Sequence, residues 1–420
     1  MLKRLLVDNA LLALQYAASA LVPLALIPHF VRTLGAEEYG KVAVAIAAVS
    51  YASLIVQYAF HLTAPAEFVS RGNAIARKVF FWEITVARVL LLVAVLAIIA
   101  CGLLMVWLLG PAGAIASVGQ WWMLLAFPVG AALHSGWHLQ CTGRYAALAA
   151  ISVAGAAVTL ATGFTVVAAG EDQPTQWAAA SLAVGPLVVG VGTFLWSAAS
   201  LGYGPARVSW KSALDLLGRG RPVFLSQLLA SGYGFAGPLV VAIAAGGRSA
   251  GLYSAIERIA NAIQAVLGLT HAAAYPRLAT LYKSARAEYL RLLGTVIGIK
   301  GAATVMLGVL LFFSSDAVST FIFGEISSES LWLMYLAWIW LTVSLLGLPL
   351  TGYLTVSGSH AAVLPLTFQV LLVTLPTGAV GAMLLGGAGW LIGLIAGQCL
   401  VLARAIRAYR HERSRLIAHT

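Results

Sequence analysis

The chain has 420 residues, 61% of them hydrophobic and only 9% charged, with a formal net charge of +11. A soluble domain carries about 25% charged residues, so this composition excludes a soluble globular protein and indicates one built into a membrane. Three cysteines (Cys101, Cys141 and Cys399) all lie in apolar runs, with neither metal-ligand spacing nor a disulfide pattern, and read as small buried hydrophobes.

The opening stretch MLKRLLVDNALLALQYAASA has Lys3 and Arg4 ahead of an apolar run and small residues behind it, as a signal peptide does. The run continues to Val31, which is long enough to span, so it reads as an uncleaved first helix. At about 20 apolar residues per span, twelve runs follow in order: 9–31, 40–63, 79–107, 121–141, 146–169, 177–200, 220–245, 250–273, 291–314, 331–356, 361–385 and 388–407. Turn chemistry separates them, as in RTLGAEEYG, AGEDQPTQ, AGGRSAG and TVSGSH. The expected class is an all-α integral membrane protein of about twelve helices, with no connection long enough for a soluble domain.

The basic residues give an orientation. With the N-terminus inside, the cytoplasmic side collects Lys3, Arg4, Arg71, Arg77, Lys78, Arg144, Arg219, Arg221, Arg277, Arg291 and the basic tail. The outer side keeps Arg32, Lys41 and Arg248. Both termini are therefore expected in the cytoplasm. The positive charge is accounted for by topology beside anionic lipid rather than by nucleic acid.

Sliding the second half onto the first by about 211 positions aligns several features. Gln15 meets Gln227, Pro28 lies near Pro238, and Gly40 falls on Gly251. Ser50, Ser53 and Gln57 meet Asn261, Gln264 and Gly268; Arg88 falls one residue from the partner of Lys300. Six spans per half is an even number, so the halves share an orientation and a pseudo-two-fold axis along the membrane normal. The expected organisation is an N-terminal lobe at 1–205, a C-terminal lobe at 206–410 and a basic tail at 411–420 that lies on the membrane surface.

Span 8 carries a polar stripe. Glu257, Asn261, Gln264, Gly268 and His271 follow the spacing of one helix face, and a stripe that long points to a wet or ligand-bearing interior. Arg88 and Lys300 each sit about nine residues past a cytoplasmic boundary, roughly 13 Å deep at 1.5 Å per residue. A charge there costs at least about 2.5–3.5 kcal/mol, unless its stem snorkels to the headgroups. Two such cations suit an anionic substrate such as a pyrophosphate. Glu257 and Arg258 are adjacent and so point about 100° apart; hydration near the outer interface and a role in the cavity are both open. His61 and His271 read as interfacial imidazoles that are also able to carry a proton. His134 and His138 have metal-capable spacing without a third ligand, so no metal is expected.

GAEEYGK at 35–41 satisfies part of a phosphate-binding loop, but Val42 stands where Ser or Thr is required, and the segment joins two membrane spans. The chain is thus not expected to draw on ATP. Neither a cofactor nor a metal is called for; the coupling ion, if the protein uses one, is H+ or Na+.

NALLALQYAASALVPLALIPHFVRTLGAEEYGKVAVA, QYAFHLTA (57–64) and GLYSAIERIANAIQAVLGLTHAAAYPRLATLY (251–282) are similar to the Wzx-type polysaccharide flippases. That family is the polysaccharide branch of the superfamily that also holds multidrug extruders and the lipid II flippase. The resemblance implies a two-lobed bundle with alternating access. It would carry an undecaprenyl-pyrophosphate-linked oligosaccharide from the cytoplasmic to the periplasmic leaflet of the bacterial inner membrane, with polysaccharide polymerases as partners. It assigns Arg88, Lys300 and Arg258 to the pyrophosphate and glycan, and Gln57, Asn261 and Gln264 to sugar hydroxyls. Where that family has an acidic residue followed by Tyr-Gly-Phe, this chain has Gln57, and Ala59 replaces the glycine. Ion coupling would then pass to Glu257, with His61 and His271, or be absent.

A multidrug extruder of the same architecture predicts buried carboxylates and cavity-lining aromatics. Here deep cations outnumber deep anions. A membrane glycosyltransferase would need a carboxylate base or metal site beside a large outer loop, and the outer loops are short.

Overall fold

A computed structural model describes residues 2–109, 121–168, 173–202, 208–356 and 360–418. Every regular element among them is helical, as a bilayer requires: with no water to bond free N–H and C=O groups, the backbone must satisfy itself within each segment. Among the described residues, ten helices are long and apolar enough to cross a membrane. One of them, Trp210–Leu267, holds both span 7 and span 8, because the chain turns at Gly246 (φ 84, ψ 174), a conformation open to glycine alone. Span 4 is broken into short pieces and so is not among the ten. Counting both, the expected twelve spans are present.

Span 1 is Leu2–Leu34 and span 2 is Ala36–Gln57, which continues after a break as Phe60–Ser70. Span 3 is Ala74–Leu109. Span 4 comprises the 3-10 turn Trp122–Leu125 and the helices Ala126–Leu133 and Gly136–Cys141. Spans 5 and 6 are Tyr145–Ala168 and Pro174–Ser200. Beyond the long Trp210–Ser284 helix come span 9 (Arg286–Phe313), the short helix Ser315–Phe323, and spans 10, 11 and 12 (Ser328–Val356, His360–Leu385 and Gly387–Ala418).

The chain forms two compact units. The first comprises Met1–Val22 and Val42–Phe235, the second Pro23–Lys41 and Ala236–Thr420. Aromatic side chains fill the first: Tyr58, Phe60, Phe68, Phe80, Phe81 and Trp137 are all buried in one cluster. In the second, Tyr253, Trp338, Trp390 and Tyr289 are fully buried.

Helix pairs approach through glycines, as expected where apolar contact with lipid offers no net drive to associate. A Cβ on Gly190 would overlap the Gly130 carbonyl, and one on Gly389 would overlap that of Gly381. Gly185 sits against the Thr159 hydroxyl between spans 5 and 6, and Gly397 against that of Thr374 between spans 11 and 12, so the two halves repeat the device. Long apolar side chains such as Ile98, Met306, Phe313 and Leu384 are exposed, as lipid-facing residues should be. The same explains a departure from expectation: Cys101 and Cys399 are exposed rather than buried, and Cys141 is half-buried.

Candidate functional site

Span 4 breaks between its two helices at His134 and Ser135, where His134 is extended (φ −60, ψ 103). In hydrocarbon such a break is tolerated only where other groups re-satisfy the freed backbone. Neighbouring spans supply them. Arg88 Nη1 on span 3 donates to the His134 carbonyl, and the Ser135 amide donates to Thr193 Oγ1 on span 6 at 3.0 Å. Ser135 Oγ bonds the Leu133 carbonyl at 3.0 Å, and His138 Nδ1 is 3.0 Å from Ser197 Oγ. Gly136 leaves room for the His134 ring, which a Cβ would meet at 2.8 Å.

Arg88 is thus enclosed in protein, with 2% of its surface exposed. Its guanidinium lies over the Phe60 ring at 5.6 Å, and its Nε has no hydrogen-bond partner among the described residues. It is close enough to His61 and His134 to act on both electrostatically. His61 is exposed and His134 half-buried. No described carboxylate pairs with Arg88. Gln57, half-buried, ends the first helix of span 2 just before this group.

The break in span 2 holds Tyr58 (φ 48) and Ala59 (φ 55) in left-handed conformations. Tyr58 donates to the Leu217 carbonyl at 2.8 Å and stacks on Phe224 at 4.3 Å, which holds the turn. Below it, an ion cluster escaped the sequence analysis: Arg71 reaches Glu67 at 2.8 Å and Glu83 at 3.8 Å, Arg219 reaches Glu67 at 3.5 Å, and Arg71 stacks over Phe80 at 4.3 Å. Nothing in the spacing of Glu83 or Arg219 reveals it, because the partners lie on different helices.

In the second unit the span 8 stripe divides. Glu257 is buried, with the Tyr253 hydroxyl and the Arg258 guanidinium as the groups that act on its carboxylate. Tyr39, 1% exposed, lies near both Glu257 and Arg258. The Tyr253 hydroxyl is turned towards Glu257 and the Trp390 indole without reaching good hydrogen-bond geometry to either. Gly237 makes that crowding feasible, since a Cβ there would overlap the hydroxyl. Further along, Asn261 is exposed, and half-buried Gln264 donates from Nε2 to Ser344 Oγ on span 10 at 2.9 Å. Arg258 and Lys300 are half-buried. Among the described residues neither is in an ion pair. The side chains of Gly268 and His271 lie outside the described residues.

The structure therefore places Gln57, His61 and Arg88 in the first unit, and Glu257, Arg258, Asn261, Gln264 and Lys300 in the second. Two polar groups result. One is cationic and built on a helix break; the other is built on one deep carboxylate and an amide stripe. No group of three or more His, Cys, Asp or Glu side chains with metal-binding geometry occurs among the described residues.

A family model described as "Polysaccharide biosynthesis protein" matches residues 5–282. The protein from Escherichia coli (strain K12) named "Putative O-antigen transporter" is 24% identical over 270 residues, covering 64% of this chain and 63% of that protein. The matched segment thus spans less than two thirds of that relative. Among solved structures, the lipid II flippase MurJ in an inward closed conformation superposes with a TM-score of 0.70 at 13% identity, covering 96% of this chain and 87% of that one. An inward-facing multidrug resistance transporter of the MATE family gives 0.63 at 18% identity, covering 98% and 94%. These two likenesses establish the fold. The match from span 1 through the end of span 8 includes all three stretches on which the resemblance to polysaccharide flippases rests, and the chain belongs to the polysaccharide biosynthesis protein family.

Proposed function

We propose that the protein flips an undecaprenyl-pyrophosphate-linked oligosaccharide from the cytoplasmic to the periplasmic leaflet of a bacterial inner membrane, supplying O-antigen, capsule or exopolysaccharide synthesis. The observation that carries this reading is the family match across spans 1–8, and Arg88, Arg258 and Lys300 are cations able to meet an anionic headgroup. The E. coli relative's name and the flippase among the fold relatives support it.

In this reading the lobes 1–205 and 206–410 alternate in access, and both termini are cytoplasmic. Lys300 and Arg258 meet the pyrophosphate and glycan directly. Arg88 adds positive potential from behind His61 and His134. Gln57, Asn261 and Gln264 hydrogen-bond sugar hydroxyls, which offer both donors and acceptors to an amide. Glu257 carries the coupling proton or Na+, assisted by His61 and His271. A polymerase is the expected partner that receives the glycan outside. No step needs a bond made or broken, so the protein acts as a transporter and not as an enzyme.

Depleting the protein in its host tests the proposal. Lipid-linked oligosaccharide should accumulate on the cytoplasmic leaflet, protected from a glycosidase added outside. Unchanged surface polysaccharide and no accumulation would remove the proposal.

A further inference from the structure

Spans 9 and 12 meet at a polar foot that the transport reading leaves unused. The apolar part of span 9 begins at Glu288 and that of span 12 ends at Arg407, so both reach headgroup level there. Leu290, Arg291, Gly294, Thr295 and Tyr409 line an open cavity of about 460 Å³ at this foot, all within the second unit. Leu290 and Gly294, like Arg291 and Thr295, are four residues apart, so span 9 contributes one face of its first turns. A cluster of buried Leu278, Tyr289 and Leu293 packs against Leu290 and Tyr409 and gives the cavity an apolar base. Gly294 keeps the mouth open. A Cβ there would lie 3.7 Å from the Tyr409 hydroxyl, an ordinary contact, and only a longer side chain would close the gap.

The charge at this foot is one-sided. Arg291 is exposed, and so are Arg404, Arg407 and Arg410 on the turns of span 12 around Tyr409. Among the described residues none of these four is in an ion pair. The Thr295 hydroxyl donates back to the Arg291 carbonyl at 2.9 Å, which leaves the guanidinium as the principal donor of the lining. Against the four cations stands Glu288, exposed one turn before Arg291; the side chain of Glu412 lies outside the described residues. An arginine binds phosphate by charge-assisted hydrogen bonds, and basic pockets between membrane helices take anionic headgroups. The apolar base favours a lipid over a free anion, because it offers the glycerol and first methylenes a surface that inorganic phosphate cannot use.

We infer that the foot of spans 9 and 12 is a binding site for an anionic phospholipid of the surrounding leaflet, its phosphate held by Arg291. The site is separate from the transport path, and its test needs no transport. The full-length protein in detergent is offered phosphatidylglycerol or phosphatidylcholine, and retained lipid is read by native mass spectrometry. Wild type should retain phosphatidylglycerol several-fold more than phosphatidylcholine. Arg291→Gln and Gly294→Leu should each reduce that preference several-fold, and Arg291→Lys should recover part of it. Arg144→Gln, which removes a basic residue of the first unit, should leave it unchanged. In the wild type a photoactivatable phosphatidylglycerol should cross-link to peptides holding residues 290–295 and 404–410, a readout that stands even if a variant fails to fold. Equal retention of the two lipids, a preference unmoved by Arg291→Gln and Gly294→Leu, or cross-links elsewhere overturn the inference. So does displacement of the lipid by inorganic phosphate, which would make this a free-phosphate site, or by equimolar undecaprenyl pyrophosphate, which would assign it to the cargo.

Discussion

Arg88 on span 3 donates to the carbonyl of His134, the residue at which span 4 breaks. A cation read from sequence as a substrate contact is thus also the brace of a neighbouring helix. Removing it leaves a part-buried carbonyl unpaired, at a cost of about 1–3 kcal/mol, and forfeits its contact with the buried Phe60 ring, about 2 kcal/mol for a desolvated pair. Arg88→Ala should lower thermal stability in detergent by that sum, and Arg88→Lys, which keeps one donor, should recover part of it. A melting temperature unchanged in Arg88→Ala would show that the bond contributes nothing.

Ala59 pays for its left-handed backbone (φ 55). The conformation costs a non-glycine residue about 1–2 kcal/mol, offset by about 0.4–1 kcal/mol of chain entropy that glycine would lose on folding. Ala59→Gly should therefore stabilise the protein slightly, and Ala59→Val should destabilise it more strongly. Chemical or thermal melts of the three proteins check the order Gly, Ala, Val.

Gln264 and Ser344 hydrogen-bond across spans 8 and 10 at 2.9 Å. Such bonds between membrane helices average about 0.6 kcal/mol, so a double-mutant cycle with Gln264→Ala and Ser344→Ala should give a coupling of that size. If Gln264 also meets sugar, its replacement should slow transport far more than that of Ser344. Equal effects on transport would reduce Gln264 to a structural role.

The spans were legible because apolar runs of spanning length leave a bilayer chain few other options, and the repeat because its glycines and amides keep one offset. The breaks were less so. Residues 121–141 are mainly apolar, and the sequence His134-Ser135-Gly136, poor in helix propensity, hints at the interruption. Its energetics depend on Arg88, Thr193 and Ser197 from other spans, which no local pattern discloses. In span 2 the replacement of a family glycine by Ala59 was visible, but the positive φ behind that glycine was not. Along span 8 the spacing assigned the polar residues to one face. It did not show that Glu257 would be covered while Asn261 stayed exposed, since burial is decided by what packs against the face.

Gly190 and Gly389 lie where a methyl group would meet a facing backbone carbonyl. Gly190→Ala and Gly389→Ala should each cost about 1–3 kcal/mol, the usual penalty of overpacking, seen as earlier unfolding in detergent. Gly218, with open space around it, is the control: Gly218→Ala should cause no such loss.

Glu257 is the one buried carboxylate of the second unit's polar group. Glu257→Gln keeps its shape and removes its charge. In proteoliposomes it should abolish the stimulation of transport by an imposed proton or Na+ gradient while leaving slow, downhill movement of the glycan. Stimulation that survives the substitution would place the coupling elsewhere.

The central claim is that the cargo is a lipid-linked glycan, and reconstitution tests it most directly. A fluorescent undecaprenyl-pyrophosphate oligosaccharide is placed in the inner leaflet of vesicles holding wild-type protein or Lys300→Ala, and its arrival outside is followed beside efflux of an organic cation. The account predicts glycan movement in the wild type, slowed by Lys300→Ala, with no cation efflux. Cation efflux without glycan movement would contradict it and make the protein a multidrug extruder.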